Sequence, residues 1–188
     1  MTTSLLLTST FYGNWLPGDP RGFVGRVLER REGDPEDARH AHHIPGTLYD
    51  EELPGLENAS EQLMNGPPIL VNLEQAESLL AQFQETAEHR GWKLCAVAVM
   101  ANHMHIVVQA PGTSDPKKVL GDFKAYGSRK LSRRWGKPAS DTWWTSKGSK
   151  RRLKDEAALQ AAIRYVLNQE NPLVVWCNPE FRNLSGVA

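Results

Sequence analysis

Residues 94–110, LCAVAVMANHMHIVVQA, constrain the fold of this chain more than any other stretch. Two apolar runs are joined at Met100-Ala101-Asn102, a pattern that makes two adjoining strands buried within a sheet. His103 and His105 open the second run. Residues i and i+2 of a strand project to one face, so the two imidazoles stand side by side. There they can share a metal ion, or they can be two half-buried polar residues of an ordinary sheet face.

What the pair would need can be sought in the rest of the 188 residues, enough for one domain with an elaboration and a sizeable core. A composition of 40% hydrophobic and 23% charged residues is that of a globular protein. No apolar run is long enough to cross a bilayer and no basic region precedes the N-terminal leucines, so no membrane partner and a cytoplasmic, nucleoid-associated location are expected. Two cysteines exclude a disulfide framework or a Cys-rich zinc site. The zero net charge conceals segregation: residues 19–90 hold 15 acidic and 6 basic residues, and residues 115–154 hold 13 basic and 3 acidic. Such asymmetry, with tryptophans among the cations, points to a polyanion such as nucleic acid.

Residues 5–12 read as a strand ended by Gly13-Asn14. From about 17 to 68 the chain is acidic and rich in Pro and Gly, an insertion in a single domain spanning 1–188. Its cluster His40-Ala41-His42-His43 reads as a solvated loop. Asn72 caps a helix that Gly91 stops, and Asp115-Pro116 starts a second helix packed through Val119, Leu120, Phe123, Tyr126, Gly127 and Leu131. Trp143-Trp144-Thr145 reads as a further strand, continued or bent through 147–150. A third helix begins at Asp155 and runs to Asn171-Pro172. The order β–α–β–β–α–β predicts an α+β, ferredoxin-like (split βαβ) antiparallel sheet with helices on one face, followed by an extra C-terminal helix.

That last helix carries Tyr165 and Gln169, which at i and i+4 share a face. A hard cation such as Mg²⁺ or Mn²⁺ accepts an amide oxygen and binds phosphate oxygens. Tyrosine is a competent nucleophile at an activated phosphorus. His-x-His on an inner strand, Tyr-x-x-x-Gln on a terminal helix and a basic segment between them therefore suit phosphodiester transesterification. Tyr126 is the rival nucleophile, but its spacing suits core packing.

These residues resemble the HUH single-tyrosine transposases of the insertion-sequence-200-like type, and within them the REP-associated tyrosine transposases. The resemblance covers the first strand and roughly residues 71–173. VMANHMHIVV at 99–108 is similar to the family's V-M-P-N-H-x-H signature, with Ala101 in place of proline and Met104 between the histidines. FKAYGSRKL at 123–131 and IRYVLNQENP at 163–172 resemble the segments that follow. The resemblance implies His103, His105 and Gln169 as metal ligands, Tyr165 as nucleophile and Mg²⁺ or Mn²⁺ as the metal. It also implies single-stranded or hairpin DNA as the substrate, with a 5′-phosphotyrosine intermediate; homodimer and monomer both stay open. DNA contacts are expected from Lys124, Arg129, Lys130, Arg133, Arg134, Lys147, Lys150, Arg151 and Arg152, with Trp144 stacking on a base. The competing readings are an inactive or domesticated DNA-binding protein on the same fold, a replication or mobilisation nickase, and a His-x-His metal hydrolase.

Overall fold

A computed structural model describes residues 2–19, 28–29, 40–41 and 54–184. Contacts divide the chain into two units, Trp15–Pro67 and the combination of Met1–Asn14 with Pro68–Ala188. Within the first, β2 (Leu28–Glu29) pairs antiparallel with β3 (His40–Ala41), and α1 spans Pro54–Gln62. His42, His43 and much of the acidic insertion lie outside the described residues.

The larger unit is an antiparallel sheet of β1 (Thr2–Thr10), β4 (Lys93–Val99), β5 (His103–Pro111), β6 (Ser149–Leu153) and β7 (Val174–Cys177). Its order is β6-β1-β5-β4-β7, so β5 is central and β6 and β7 are edges. The helices are α2 (Leu73–His89), α3 (Pro116–Trp135) and α4 (Glu156–Leu167), followed by a 3-10 turn at Pro179–Leu184. The architecture is α+β.

Local chemistry fixes the helix starts. Asn72 accepts from the Gln75 N–H while the Gln75 side chain accepts from the Asn72 N–H, a reciprocal capping box. Asp115 caps α3 ahead of Pro116, and Asp155 caps α4. Gly91, at φ 65°, takes the left-handed conformation that ends α2.

Alternation along the strands builds a core on each face of the sheet. Leu5 and Leu7 of β1 with Met104, Ile106 and Val108 of β5 pack against α2 and α3. Phe83 and Phe123 meet edge to face at 5.6 Å in that core, and burying each contributes about 1.5–3 kcal/mol. Ala96 and Ala98 of β4 and Val107 of β5 face the other way, where small side chains admit Leu159, Ala162, Ile163 and Val166 of α4.

Three sequence expectations are corrected. Residues 143–145 are not a regular strand: Trp143 and Trp144 are consecutive yet both buried in the same core, which strand alternation forbids. Only Trp144 bridges to Phe11, and the strand forms later, as β6. The terminal helix ends at Leu167 rather than running to Asn171. Asn171 turns at φ 50°, and the Leu173 N–H reaches the Val99 carbonyl at 2.9 Å, returning the chain to the sheet as β7, a strand the sequence pattern did not reveal.

Candidate active site

The β4–β5 turn is held from outside as well as within. The Met100 N–H donates to His103 O at 2.9 Å, the Val71 N–H to Ala101 O at 2.8 Å, and the Phe11 N–H to Asn102 O at 2.9 Å. The end of β1 and the lead-in to α2 thus fix the start of β5, where the histidines sit. In the β1–β5 register Thr10 faces His103 and Thr8 faces His105. Directly paired residues share a sheet face, and here it is the face covered by α4.

His103 and His105 meet edge to face, their ring centroids 5.0 Å apart. Asn102 Oδ1 lies 2.6 Å from His103 Nδ1, and Thr8 Oγ1 lies 2.7 Å from His105 Nδ1. An oxygen at Nδ1 fixes the ring orientation and leaves Nε2 as the lone-pair nitrogen when Nδ1 carries the proton. His105 is only 4% exposed. Burial first, and then the neighbouring His103, pull its pKa down to about 4 against an opposing hydrogen bond with Gln169. His105 is therefore a neutral imidazole at pH 7.

Tyr165 comes to this pair from α4. Its Oη lies 3.5 Å from His105 Nε2, a long contact, and the two rings are 5.1 Å apart. The residue is 50% exposed, so the phenol has protein on one side and open access on the other. Gln169 lies beyond the end of α4, and its Nε2 donates to Tyr165 O at 2.9 Å. The structure therefore brings His103, His105, Tyr165 and Gln169 into one place, although Gln169 gets there from a turn rather than a helix face. Thr8 and Asn102 were not singled out from sequence. A threonine in an alternating strand gives no local sign that a histidine stands opposite it.

Tyr126 is elsewhere, on α3 over the other sheet face, with the Arg129 guanidinium 4.9 Å and the Arg90 guanidinium 5.8 Å from its ring centre. The basic residues divide into sets. Arg129 is occupied with Tyr126, and Arg134 ion-pairs with Glu74 and covers Trp135. Lys124 Nζ donates to Thr145 O at 2.5 Å and Lys147 O at 3.1 Å, bracing the loop before β6. Arg152 Nη1 donates to Thr3 Oγ1 at 2.9 Å. Lys130 is half-buried, while Arg133, Lys147, Lys150 and Arg151 are exposed.

The stacking expected of Trp144 has no face on which to occur. Its ring is 3% exposed and stacked on Phe11 with centroids 4.5 Å apart, and its indole N–H donates to Lys124 O and Ser128 Oγ. Trp143 is 6% exposed and donates to Ser132 Oγ at 2.9 Å. Both rings hold the 142–145 segment against the core.

The family model for IS200-like transposases matches residues 69–169, more than half of the chain, and includes the histidine pair, Tyr165 and Gln169. The chain belongs to the IS200-like transposase family. No match was found among curated proteins. Among solved structures, it is similar to a REP-associated tyrosine transposase bound to a REP hairpin, at 10% identity and TM-score 0.45, covering 88% of this chain and 64% of the other. This chain thus spans less than two thirds of that relative. It is also similar to a candidate transposase from Deinococcus radiodurans R1, at 12% identity and TM-score 0.48, covering 91% of this chain and 93% of the other. Among the described residues no helix is long and apolar enough to cross a membrane.

Proposed function

We propose that this chain is a metal-dependent endonuclease and strand transferase of single-stranded or hairpin DNA that uses Tyr165 as its nucleophile. The observation that carries this reading is the approach of Tyr165 Oη to 3.5 Å from His105 Nε2, on a helix that crosses the sheet face bearing both histidines. In this reading the chain is one HUH-type domain with an acidic insertion. The order β6-β1-β5-β4, with α2 and α3 on one face, supports the split-βαβ plan.

The residues present fit a divalent cation. A carbonyl or hydroxyl oxygen at Nδ1 of each imidazole is the outer partner that metal-binding histidines commonly have. His105 is neutral, as a ligand must be, and Gln169 is a third donor within reach of it. Among the described residues no three His, Cys, Asp or Glu side chains cluster, so the donors named here, two imidazoles and an amide, bring no negative charge to the ion. An anionic phosphate completes such a donor set, and Mg²⁺ or Mn²⁺ suits its oxygens. When bound, the cation neutralises charge on the scissile phosphate and orients it for in-line attack.

The chain's own contribution is positional. Thr8 and Asn102 hold the imidazoles, and α4 presents the Tyr165 phenol from its half-exposed position. The phenol gives up its proton, its oxygen forms a bond to phosphorus, and the bond to the 3′ oxygen breaks. That oxygen takes a proton and leaves as a free 3′-hydroxyl, while the 5′ side stays on the tyrosine. One phosphodiester bond replaces another, so the link can be passed to a second strand.

The test is a covalent adduct. Labelled single-stranded DNA bearing a hairpin is incubated with the protein and Mg²⁺ or Mn²⁺, denatured and resolved by mass. An adduct absent in Tyr165→Phe and strongly reduced in His103→Ala supports the reading. An adduct that survives Tyr165→Phe but is lost in Tyr126→Phe moves the nucleophile to α3. Cleavage with no adduct indicates a water-using hydrolase, and binding with neither indicates an inactive DNA-binding protein.

A further inference from the structure

Four lysines from two segments line one cleft on the sheet face away from Tyr165. Lys117 and Lys124 come from α3, and Lys147 and Lys150 from the loop and first residues of β6, around a cavity of about 480 Å³. No aspartate or glutamate is among the described residues that line it. Burial is the main cause that lowers the Lys124 pKa to about 8, and the neighbouring Lys150 charge lowers it further, the part of the shift that clustering of cations causes. The loop reaches this position only because residue 148 is glycine: a Cβ there would sit 2.6 Å from Thr8 O and 2.8 Å from Leu120 Cδ2. The crowding of like charges is thus built into the β6–β1 junction, and it is the arrangement that an anion relieves.

The cleft and the histidine face meet at one strand. In the β1–β6 register Lys150 faces Leu7, whose side chain lies in the core with α2 and α3. Ser149 faces Thr8 and Arg151 faces Leu6, on the face of His105 and α4. Successive residues of an edge strand therefore offer a cation to one face, then the other. The lining offers little to a free base: Trp144 is 3% exposed and its N–H is already used. Charge without an available aromatic face suits a phosphate backbone better than a mononucleotide.

We propose that the lysine cleft is a second nucleic-acid contact, seating backbone phosphates of a DNA strand that rounds the β6 edge past Ser149 and Arg151 to reach the histidine face. This rests on the DNA-transesterase reading for the direction of the strand, but the cleft can be tested without chemistry. Equilibrium binding of the full chain to a labelled hairpin-bearing single strand is measured by anisotropy with EDTA present, across a salt series. The variant Lys117→Gln/Lys147→Gln/Lys150→Gln leaves Lys124 to brace the loop, and its melting temperature checks that it folds. Lys118→Gln, exposed on the same helix but outside the cleft, is the control.

Loss of three phosphate contacts is expected to lower the slope of log K against log salt by about 2 and the affinity by about ten- to a hundredfold near 0.1 M salt. The corresponding triple arginine variant is expected to restore both. An unchanged slope in the glutamine variant overturns the proposal. So does an equal loss in Lys118→Gln, or a wild-type chain that binds inorganic tripolyphosphate but no DNA. A reduced slope with no Tyr165 adduct would leave the cleft standing and sink the catalytic reading. An adduct with an unchanged slope would do the reverse.

Discussion

On one face of the sheet, His105 is buried, neutral and held at Nδ1 by the Thr8 hydroxyl, with Tyr165 and Gln169 beside it. Across the β6 edge, four lysines crowd a cleft with no carboxylate among its described lining residues. The first arrangement gives precise placement and little charge, so it needs a cation and an anionic substrate to act. The second gives charge and little shape, so it can hold a phosphate backbone without choosing a sequence. The difference teaches that the basic segment is no single track. Its alternation through β6 hands Ser149 and Arg151 to one face and Lys150 and Arg152 to the other.

The contrast can be broken at its extremes. Tyr165→Phe should abolish the DNA adduct while leaving EDTA-state binding within about twofold, because the phenol lies away from the cleft. A large loss of binding in that variant would merge the two sites. Next in size is Gly148→Ala, the one change expected to damage both faces. Its Cβ meets backbone and a buried leucine, so β6 must shift at a cost of roughly 2–3 kcal/mol, read by urea unfolding, with adduct and DNA affinity falling together.

Thr8→Val sharpens the comparison by touching one face alone. It removes the oxygen at His105 Nδ1 and should weaken Mn²⁺ binding about ten- to a hundredfold in a direct titration, without altering the salt slope for DNA. Trp144→Phe addresses the buried indole. It removes the indole N–H that Ser128 Oγ and, beyond its helix bond, Lys124 O accept, so stability should fall by about 1–3 kcal/mol while DNA affinity at a temperature where the protein is folded stays the same. A selective loss of affinity would restore a stacking role to that ring.

The smallest effect is that of pH on the cleft. Lys124, at about 8, is charged at pH 7 and largely neutral at pH 9, while Lys117, Lys147 and Lys150 are the other charged groups of the lining. One cation of four is lost as pH rises through that window, so DNA affinity should decline by roughly a few-fold between pH 7 and 9. Lys124→Arg should flatten the profile. The same depressed pKa makes the unfolded chain bind the extra proton between about 8 and the ordinary lysine value. Stability therefore gains with rising pH there, opposite in sign to the binding effect.

The amino-acid pattern alone specified the paired strands that carry His103 and His105 and the starts of all three helices of the larger unit, the one that bears Tyr165 included. Those features are written in neighbours: alternation, Asn72, Asp115 and Asp155 as caps, and a motif of seven consecutive residues at 99–105. Tertiary structure alone decided that Thr8 holds His105 from 97 residues away, that Tyr165 reaches it from 60, and that Trp143 and Trp144 turn inward together. It also decided that Lys117 joins Lys147 and Lys150 in one cleft. The physical reason is that periodicity and capping are energies of short range along the chain. A hydrogen bond to a histidine ring and the clustering of four ammonium groups depend on which strands pair and in what register, and the burial of the whole core selects that register.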